Sequence, residues 1–266
     1  MEVSAQTSIP TQPSNLGKGL TTLGYGIRNP RQASRALVGA AAELYRERAL
    51  SESPIPTVSL ADMVGCEPIE LMDFAGRNGN VTLAELSALC ASVRRSKPAT
   101  LLEIGTFDGN TTLQLALNSP EDARVFTLDL PSDPASAEST LEPDDLRYIT
   151  DQVKLERKYE RHPVGAKVTQ WIGDSATFDF EAALGVGTPK MRAIDWAFID
   201  GSHSYDYVRS DTERLMPLLA EDGVICWHDY RPVWPGVIAW LDEFSEQYPL
   251  RRLEGSSLVI LDRRLT

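Results

Sequence analysis

From residue 100 toward the C-terminus, short runs of apolar residues alternate with longer segments in which apolar positions recur at helical spacing. The apolar runs have the length and content of strands that are buried on both faces. They lie at residues 101–104, 125–128, 168–172, 196–199 and 224–227. An alternation of buried strands and helices predicts an α/β fold with a Rossmann-like doubly wound, mostly parallel sheet and right-handed crossovers.

The C-terminal segment departs from this alternation. Two short strand-like runs, at 250–253 and 258–261, flank the sequence Glu-Gly-Ser-Ser at 254–257. Short strands joined by a glycine-containing turn predict an antiparallel hairpin. Together with the five strands above, the hairpin completes a predicted sheet of seven strands.

The first 80 residues carry weaker signals. Residues 1–30 are rich in Ser, Thr, Gln, Gly and Pro and are expected to form a flexible tail. Leu37, Val38, Ala41 and Leu44 recur at helical spacing within 31–50, which predicts an amphipathic helix. We therefore expect an N-terminal helical cap at 31–80, whose helix could pair with a second copy of the chain or cover its own active site.

The predicted catalytic core covers residues 81–266. Its first helix is expected at 83–95, with Thr82 as N-cap and Glu85 placed for a reciprocal capping bond. Residues 131–165, which contain Pro, Asp and Glu and then a charged helical pattern, interrupt the alternation of strands and helices. Two interpretations of this insertion stay open: a lid or substrate-binding element, or an inert surface segment.

Charge and cysteine content narrow the classes of function. The chain has 266 residues, a net charge of -12 and no long basic run, so neither nucleic acid nor a membrane surface is an expected partner. No apolar stretch approaches the roughly 20 residues that span a bilayer. Cys66, Cys90 and Cys226 are odd in number and set among apolar residues, which indicates buried free thiols and a cytoplasmic location.

The first candidate site is the turn that follows residues 101–104. Gly105 and Gly109 would let the backbone turn sharply and approach a ligand where a helix N-terminus presents free N–H groups. Asp129 ends the next strand, about twenty positions on, where a carboxylate can bind both ribose hydroxyls of an adenosine. Asp174 could face an adenine amino group or cap the following helix. Glycines that serve turn geometry alone are the alternative interpretation.

The glycine spacing disfavours hydride transfer, because a dinucleotide fingerprint needs Gly-x-Gly-x-x-Gly and this turn reads Gly-Thr-Phe-Asp-Gly-Asn. Its Glu-x-Gly-x-x-x-Gly form, the ordered strand ends and the final hairpin resemble class I S-adenosylmethionine-dependent methyltransferases, from about residue 82 to the C-terminus. The resemblance implies S-adenosylmethionine as the cofactor. The implied cofactor-binding positions are Glu103, Gly105, Thr106, Phe107, Gly109, Asn110, Asp129, Leu130, Asp174, Ser175 and Asp200.

Two further stretches resemble the macrocin-type group of natural-product and sugar O-methyltransferases. They read Phe-Ile-Asp-Gly-Ser-His-Ser-Tyr at 198–205 and Gly-Val-Ile-Cys-Trp-His-Asp-Tyr at 223–230, followed by Pro-Gly-Val at 235–237. The resemblance implies Mg²⁺ or another divalent ion held by Asp200, His228 and Asp229. His228 departs from the pattern, since a hard oxygen ligand is expected there and imidazole suits magnesium poorly. A buried structural residue is the alternative for His228.

His203 lies three residues after Asp200, where the resemblance implies the base that removes the proton of the acceptor. A positioned imidazole can accept that proton as the C–O bond forms. The implied catalytic set is His203, Asp200 and Asp229; a loop histidine that bonds the cofactor or the backbone is the alternative. Aromatic residues near the same rim suit a sugar or polyketide ring or a sulfonium cation. They are Tyr205, Tyr207, Trp227, Tyr230 and Trp234.

These features predict an S-adenosylmethionine-dependent O-methyltransferase that acts on a hydroxyl of a small metabolite, with a sugar or glycosylated natural product as the expected acceptor. Three other interpretations stay open: an N-methyltransferase of the same fold, a catalytically silent cofactor-binding partner protein, and, against the glycine spacing, a nucleotide-dependent oxidoreductase.

Overall fold

The computed structural model describes residues 53–65, 67–74, 79–131, 145, 156–185 and 194–265. All of them belong to the compact unit Ser53–Thr266. The expected tail at 1–30 and the expected helix at 31–50, with its proposed pairing of copies, lie outside the described residues. Cys66 and most of the insertion at 131–165 lie outside them too.

One mixed sheet organises the described residues, in the order β1-β7-β8-β6-β5-β2-β3-β4. Neighbouring strands from β2 to β6 pair in parallel, whereas β8 is antiparallel to both β6 and β7. The strands are β1 (Thr57–Val58), β2 (Thr100–Ile104), β3 (Arg124–Asp129), β4 (Val168–Ile172), β5 (Ile194–Ile199), β6 (Leu219–Trp227), β7 (Arg251–Leu253) and β8 (Val259–Asp262).

The predicted Rossmann-like, mostly parallel sheet and its C-terminal hairpin are confirmed. The predicted number of seven strands is wrong, because the sheet formed by the described residues has eight. The additional strand, Thr57–Val58, is only two residues long and pairs in parallel with β7. Two residues are too few to produce an alternating pattern, so backbone pairing alone reveals this strand.

The helices connect the strands and pack beside one another, α2 against α3 and α5 against α6. Short 3₁₀ segments lie at Lys158–Arg161, Pro163–Lys167 and Arg263–Leu265. The helices are α1 (Leu60–Val64), α2 (Leu83–Ser96), α3 (Asn110–Asn118), α4 (Phe180–Leu184), α5 (Tyr205–Leu215) and α6 (Pro235–Ser245). None of the helices in the described ranges combines the length and the apolar character needed to cross a bilayer.

The predicted start of α2 is confirmed in detail. The Thr82 side chain accepts a hydrogen bond from the backbone N–H of Glu85, and the Glu85 carboxylate accepts one from the backbone N–H of Thr82 at 3.0 Å. This reciprocal pair satisfies two N–H groups that a helix start would otherwise leave unbonded. It also holds the Glu85 side chain at the N-terminal end of the helix, inside the protein.

The core lies on the central strands, where Trp196, Phe198 and Trp227 have no measurable exposure. Cys90 and Cys226 are buried free thiols, as the sequence predicts. Burial raises the pKa of Cys90 to about 12, and it raises the pKa of Cys226 well above its usual value. Both thiols are therefore unreactive packing residues.

The order in which strands are added to the sheet reverses at the boundary between β2 and β5, since β3 and β4 extend the sheet on one side and β6 extends it on the other. Gly105 follows β2 with a φ of +99°, and a Cβ there would lie 2.1 Å from the backbone oxygen of Asp200, which follows β5. Glycine is therefore required because two strand ends meet. This junction is a topological switch point, the usual place for a ligand in an open α/β sheet.

We predict that Gly105→Ala destabilises the protein by about 3 kcal/mol or more, since it combines an unfavourable φ with a clash against backbone. The matched control is Gly255→Ala. Gly255 also has a positive φ, of +70°, but nothing lies within 4 Å of the added Cβ. That control should cost only about 1–2 kcal/mol. Denaturant unfolding of both variants measures the difference, and equal losses would show that the contact between the two strand ends is unimportant.

Candidate active site

A cavity of about 250 Å³ opens at this switch point, above the carboxyl ends of the central strands. Most of the residues that the sequence analysis assigns to a site line it. They are Gly105, Phe107, Asp129, Leu130, Ser175, Asp200, His203, His228 and Asp229. The cofactor-side residues after β2 and β3 and the acid and histidine residues after β5 and β6 therefore face one space.

Two of the assigned residues lie beneath this lining. The Glu103 carboxylate is almost fully buried and accepts hydrogen bonds from the Thr112 and Thr127 hydroxyls, and Thr106 bonds Thr127 at 2.6 Å. Burial raises the pKa of Glu103 to about 8, although the two threonine hydroxyls oppose this. Both residues support the turn at Gly105 from below.

The other assigned residues outside the lining support neighbouring backbone. A Cβ on Gly109 would meet the Tyr159 ring at 2.8 Å, and the Asn110 amide oxygen accepts a bond from Lys158 at 2.7 Å. The turn is thus packed against the 3₁₀ segment Lys158–Arg161. Asp174 accepts bonds from the backbone N–H of Ala176 and from the Tyr207 hydroxyl, so it holds the loop after β4 in place.

Asp129 lines the cavity at the end of β3 and forms an ion pair with Arg157 at 3.3 Å. Burial raises the pKa of Asp129 to about 7, although Arg157 and the backbone N–H groups of Phe107 and Leu130 oppose the shift. Arg157 lies at the end of the insertion, where nothing in the sequence pattern marks it. Its contact brings a positive charge to the carboxylate expected to bind ribose.

His203 lies in the loop between β5 and α5, and its ring is held on three sides. Its Nε2 is 2.6 Å from Asp229, its Nδ1 is 2.5 Å from Asp145, and its face stacks on Trp234 with ring centroids 3.9 Å apart. The loop is fixed as well, because a Cβ on Gly236 in the first turn of α6 would lie 2.8 Å from the backbone oxygen of His203. Helix α6 therefore packs directly on the histidine loop.

His228 lies at the end of β6 and is buried among carboxylates. Its Nδ1 is 2.8 Å from Asp200 and 3.2 Å from Asp229, and its Nε2 is 3.4 Å from Glu85. The Glu85 carboxylate also accepts bonds from the backbone N–H and hydroxyl of Ser257, both at 2.8 Å. Glu85, whose carboxylate completes the capping box of α2, thus also contacts the histidine of the site.

Asp229 adopts a left-handed backbone conformation, with a φ of +62°. Aspartate tolerates this region better than most residues, but the conformation still costs energy and is typical of functional sites. It directs the carboxylate toward both histidines, while Arg231 forms an ion pair with its other oxygen.

Opposite charges stabilise one another in this cluster. Burial disfavours a charged ring, but the hydrogen bonds of His203 to Asp145 and Asp229 outweigh it and raise the pKa of His203 to about 9. The pKa of His228 likewise lies well above its usual value, because Asp200, Asp229 and Glu85 outweigh burial. Both rings are therefore imidazolium ions at neutral pH.

The carboxylates respond according to their partners. Burial would raise the pKa of Asp229, but hydrogen bonds from His203 and His228 hold it well below its usual range. Glu85 behaves in the same way through His228 and Ser257. For Asp200 burial dominates, so its pKa is raised although His228 opposes the shift.

One group of side chains among the described residues has metal-ligand geometry. Ligand atoms of Asp200, His203 and Asp229 lie within 4.8 Å of one another. His228, which the sequence resemblance implies as a ligand, lies outside this group, with its Nδ1 2.8 Å from Asp200. Two carboxylates and an imidazole fit a divalent ion in number and type, although the nitrogen favours a transition metal over magnesium.

The aromatic residues divide between cavity and core. Tyr207 and Trp234 line the cavity, whereas Trp227 and Tyr230 are fully buried and Tyr205 bonds Glu243 at the exposed side of α5. Asp145 is the residue that sequence reasoning missed most clearly. It lies within the acid-rich insertion, where no periodic signal separates one carboxylate from another.

Comparison with known proteins bears on the class of protein. Residues 102–230 match a family model described as a methyltransferase domain, and no match was found among curated protein sequences. Solved structures with similar folds include three methyltransferases. The O-methyltransferase TomG of Streptomyces achromogenes, involved in tomaymycin synthesis, is 17% identical over 69% of this chain and 81% of its own, with a TM-score of 0.45.

The second is the Podospora anserina methyltransferase PaMTH1, 18% identical over 88% of this chain and 96% of its own, with a TM-score of 0.47. The third is CalS11, a TDP-rhamnose 3'-O-methyltransferase of calicheamicin biosynthesis, 17% identical over 68% of this chain and 77% of its own, with a TM-score of 0.46.

The fold and the cavity at its switch point place a candidate ligand site at the carboxyl ends of the central strands of an α/β sheet. The domain match across β2 to β6 supports the class that the sequence resemblance implies, an S-adenosylmethionine-dependent methyltransferase.

We predict that cofactor affinity depends on pH through Asp129. Its carboxylate, with a pKa of about 7 in the free protein, accepts ribose hydroxyls best when ionised, so affinity should fall as the pH drops. Between pH 8 and 6 the loss should be about tenfold. Asp129→Asn should bind more weakly and lack this dependence.

Calorimetry with S-adenosylhomocysteine measures both proteins. The amino group of the ligand titrates equally in the two experiments. The ratio of the two affinities at each pH therefore reports the contribution of Asp129. A ratio that does not change with pH would exclude this role of the carboxylate.

Proposed function

We propose that the protein transfers the methyl group of S-adenosylmethionine to a hydroxyl oxygen of a small metabolite. The observation that carries this proposal is the placement of His203, Asp200 and Asp229 in the same cavity as Gly105 and Asp129. A cofactor held at the β2 and β3 ends would present its sulfonium methyl toward the acid and histidine residues at the β5 and β6 ends.

The reaction is a displacement at carbon. The acceptor oxygen forms a bond to the methyl carbon while the bond from that carbon to sulfur breaks, which leaves S-adenosylhomocysteine and the methyl ether. The hydroxyl proton must leave, since a neutral alcohol is a weak nucleophile. Holding the two reactants in line contributes on the order of 7 kcal/mol or more in favourable cases.

His203 is the residue that we propose as the base, with Asp200 and Asp229 orienting the acceptor. Its pKa of about 9 makes the neutral ring a stronger base than an ordinary histidine. The same shift leaves only about 1% of the molecules neutral at pH 7. Asp229 is close enough to share the proton with Nε2, at 2.6 Å.

A divalent ion held by Asp200, His203 and Asp229 would supply Lewis-acid polarisation of the acceptor hydroxyl. The Nε2 of His203 cannot serve as both ligand and base. Asp200 and Asp229 already have positive partners in His228, His203 and Arg231. We therefore propose that turnover uses the base and needs no metal.

The acceptor that we propose is a hydroxylated ring compound such as a sugar or a glycosylated natural product. The cavity lining supports this, because Asp200 and Asp229 can accept hydrogen bonds from ring hydroxyls and Trp234 adds an apolar surface beside them. Product analysis across hydroxylated and amine metabolites tests the proposal: methyl ethers support it, methylamines alone would indicate N-methylation, and cofactor binding without any product would indicate a silent partner protein.

We predict that His203→Gln lowers kcat at least about 100-fold, because general base catalysis typically contributes that much, and leaves cofactor affinity nearly unchanged. His162→Gln is the matched control. His162 caps its own 3₁₀ segment through a bond to the backbone of Val164 and lies outside the cavity lining. Steady-state kinetics and cofactor calorimetry on both variants measure these effects. If His203→Gln kept the wild-type kcat, His203 would not be the base.

We also predict how metals act on this enzyme. Removal of divalent ions with a chelator should change kcat by less than about twofold, and added Mg²⁺ should not raise it. Mn²⁺ or Zn²⁺ should inhibit, since either one suits the imidazole nitrogen and would occupy the base. Loss of activity on chelation, restored by one metal, would instead make Asp200, His203 and Asp229 a required metal site.

A further inference from the structure

We infer that Asp145 is a positioning residue that fixes the orientation of the His203 ring for proton transfer. The inference rests on the proposed function, in which His203 is the base. Asp145 contributes its carboxylate from the predicted insertion, and it lines the same cavity as His203.

One carboxylate makes three contacts with the histidine loop. Asp145 Oδ1 is 2.5 Å from His203 Nδ1, and Oδ2 accepts hydrogen bonds from the Ser202 hydroxyl at 2.7 Å and from the backbone N–H of His203 at 3.2 Å. Asp145 thus holds both the ring and the backbone that carries it. Its side chain is 6% exposed and that of His203 is 11% exposed, so water competes little for these bonds.

The bond at Nδ1 determines what Nε2 can do. Both ring nitrogens face a carboxylate, Nδ1 that of Asp145 and Nε2 that of Asp229. Nε2 lies on the side of the carboxylates proposed to orient the acceptor, so Nδ1 keeps its proton, hydrogen-bonded to Asp145, and Nε2 is the nitrogen that exchanges its proton. If the ring rotated by half a turn, a carbon would face Asp145 and Asp229 would lose its partner. Stacking on Trp234 fixes the plane of the ring, but it does not determine which edge of the ring faces Asp145, because the stacking is the same in both orientations.

The charge of Asp145 acts in the same direction as its geometry. An imidazolium forms on His203 when Nε2 takes the acceptor proton, and a carboxylate at Nδ1 stabilises that ion. In a site that already holds Asp200 and Asp229, a further buried carboxylate would repel its neighbours if it had no cation to pair with. Pairing with His203 therefore compensates the energetic cost of burying the Asp145 carboxylate.

This contact also assigns a role to part of the insertion. Asp145 lies between β3 and β4 in the chain, whereas His203 follows β5, so their bond connects the crossover after β3 to the reacting end of β5. The contact supports an active-site role for this residue of the insertion.

Kinetics on three variants test the inference. We expect Asp145→Ala to lower kcat about 100-fold, since small misplacement of a reacting group can cost that much, with cofactor affinity within about twofold of wild type. Asp145→Asn keeps an acceptor oxygen for the Nδ1 proton and should regain part of the loss. Ser202→Ala removes another bond of Asp145 but leaves the contact with Nδ1, so it should lower kcat much less than Asp145→Ala does.

A spectroscopic measurement needs no substrate and so separates failure of this inference from failure of the proposed function. The chain has only three histidines, so ¹⁵N-histidine labelling gives few ring signals, and His203→Gln assigns the relevant one. Wild type should show a strongly downfield Nδ1 proton on His203. Asp145→Ala should lose it, and Ser202→Ala should keep it.

Wild-type kcat in Asp145→Ala, or a His203 ring signal that is the same with and without Asp145, would overturn the inference. If Asp145→Ala does not fold, the wild-type ring signal and the comparison of Asp145→Asn with Ser202→Ala still decide it. If the wild-type protein methylates no acceptor but the ring signal behaves as expected, the proposed function fails while the contact between Asp145 and His203 stands.

Discussion

Pairing between two buried imidazolium rings and the carboxylates around them is the interaction on which the rest of this structure depends. His228 connects Glu85 at the start of α2 with Asp200 at the end of β5, and Asp229 connects His228 with His203. Each charge is buried, and each would be costly without its partner. Removing one member of a buried pair typically destabilises a protein by about 3–5 kcal/mol. The network therefore fixes the relative positions of a helix, two strand ends and the loop that carries His203 in one cooperative unit.

A backbone contact explains why the end of the cavity proposed to bind the cofactor meets the end proposed for catalysis. Gly105 and Asp200 touch through their backbones, with no room for a side chain at position 105. The turn that is expected to face the cofactor is therefore held against the residue that begins the acid and histidine cluster. In a displacement reaction the donor carbon and the acceptor oxygen must stay close and in line. Backbone contact between two central strands supplies a rigid frame for this arrangement.

Sequence patterns predict well where a periodic signal exists. The five central strands and the hairpin follow from apolar runs, and the start of α2 follows from Thr82 and Glu85, because these signals are local. β1 could not be predicted, since its pairing with β7 joins residues that are distant in the chain. Asp145 and Arg157 could not be selected either, because an acid-rich insertion offers many equivalent charges until the fold brings one to His203 and one to Asp129. Glu85 shows a different limit: its capping role is visible in the sequence, whereas its contacts with His228 and Ser257 are not.

His228 shows how one residue can change the chemistry of such a site. An oxygen ligand at that position would add negative charge beside Asp200 and Asp229, and the three would attract a divalent cation. His228 instead places a positive charge there, at 2.8 Å from Asp200. That internal cation does part of what a metal would do, because it neutralises the carboxylates and keeps them oriented. It cannot polarise an acceptor as a Lewis acid does, so the proposed methyl transfer needs a base, the role that we propose for His203.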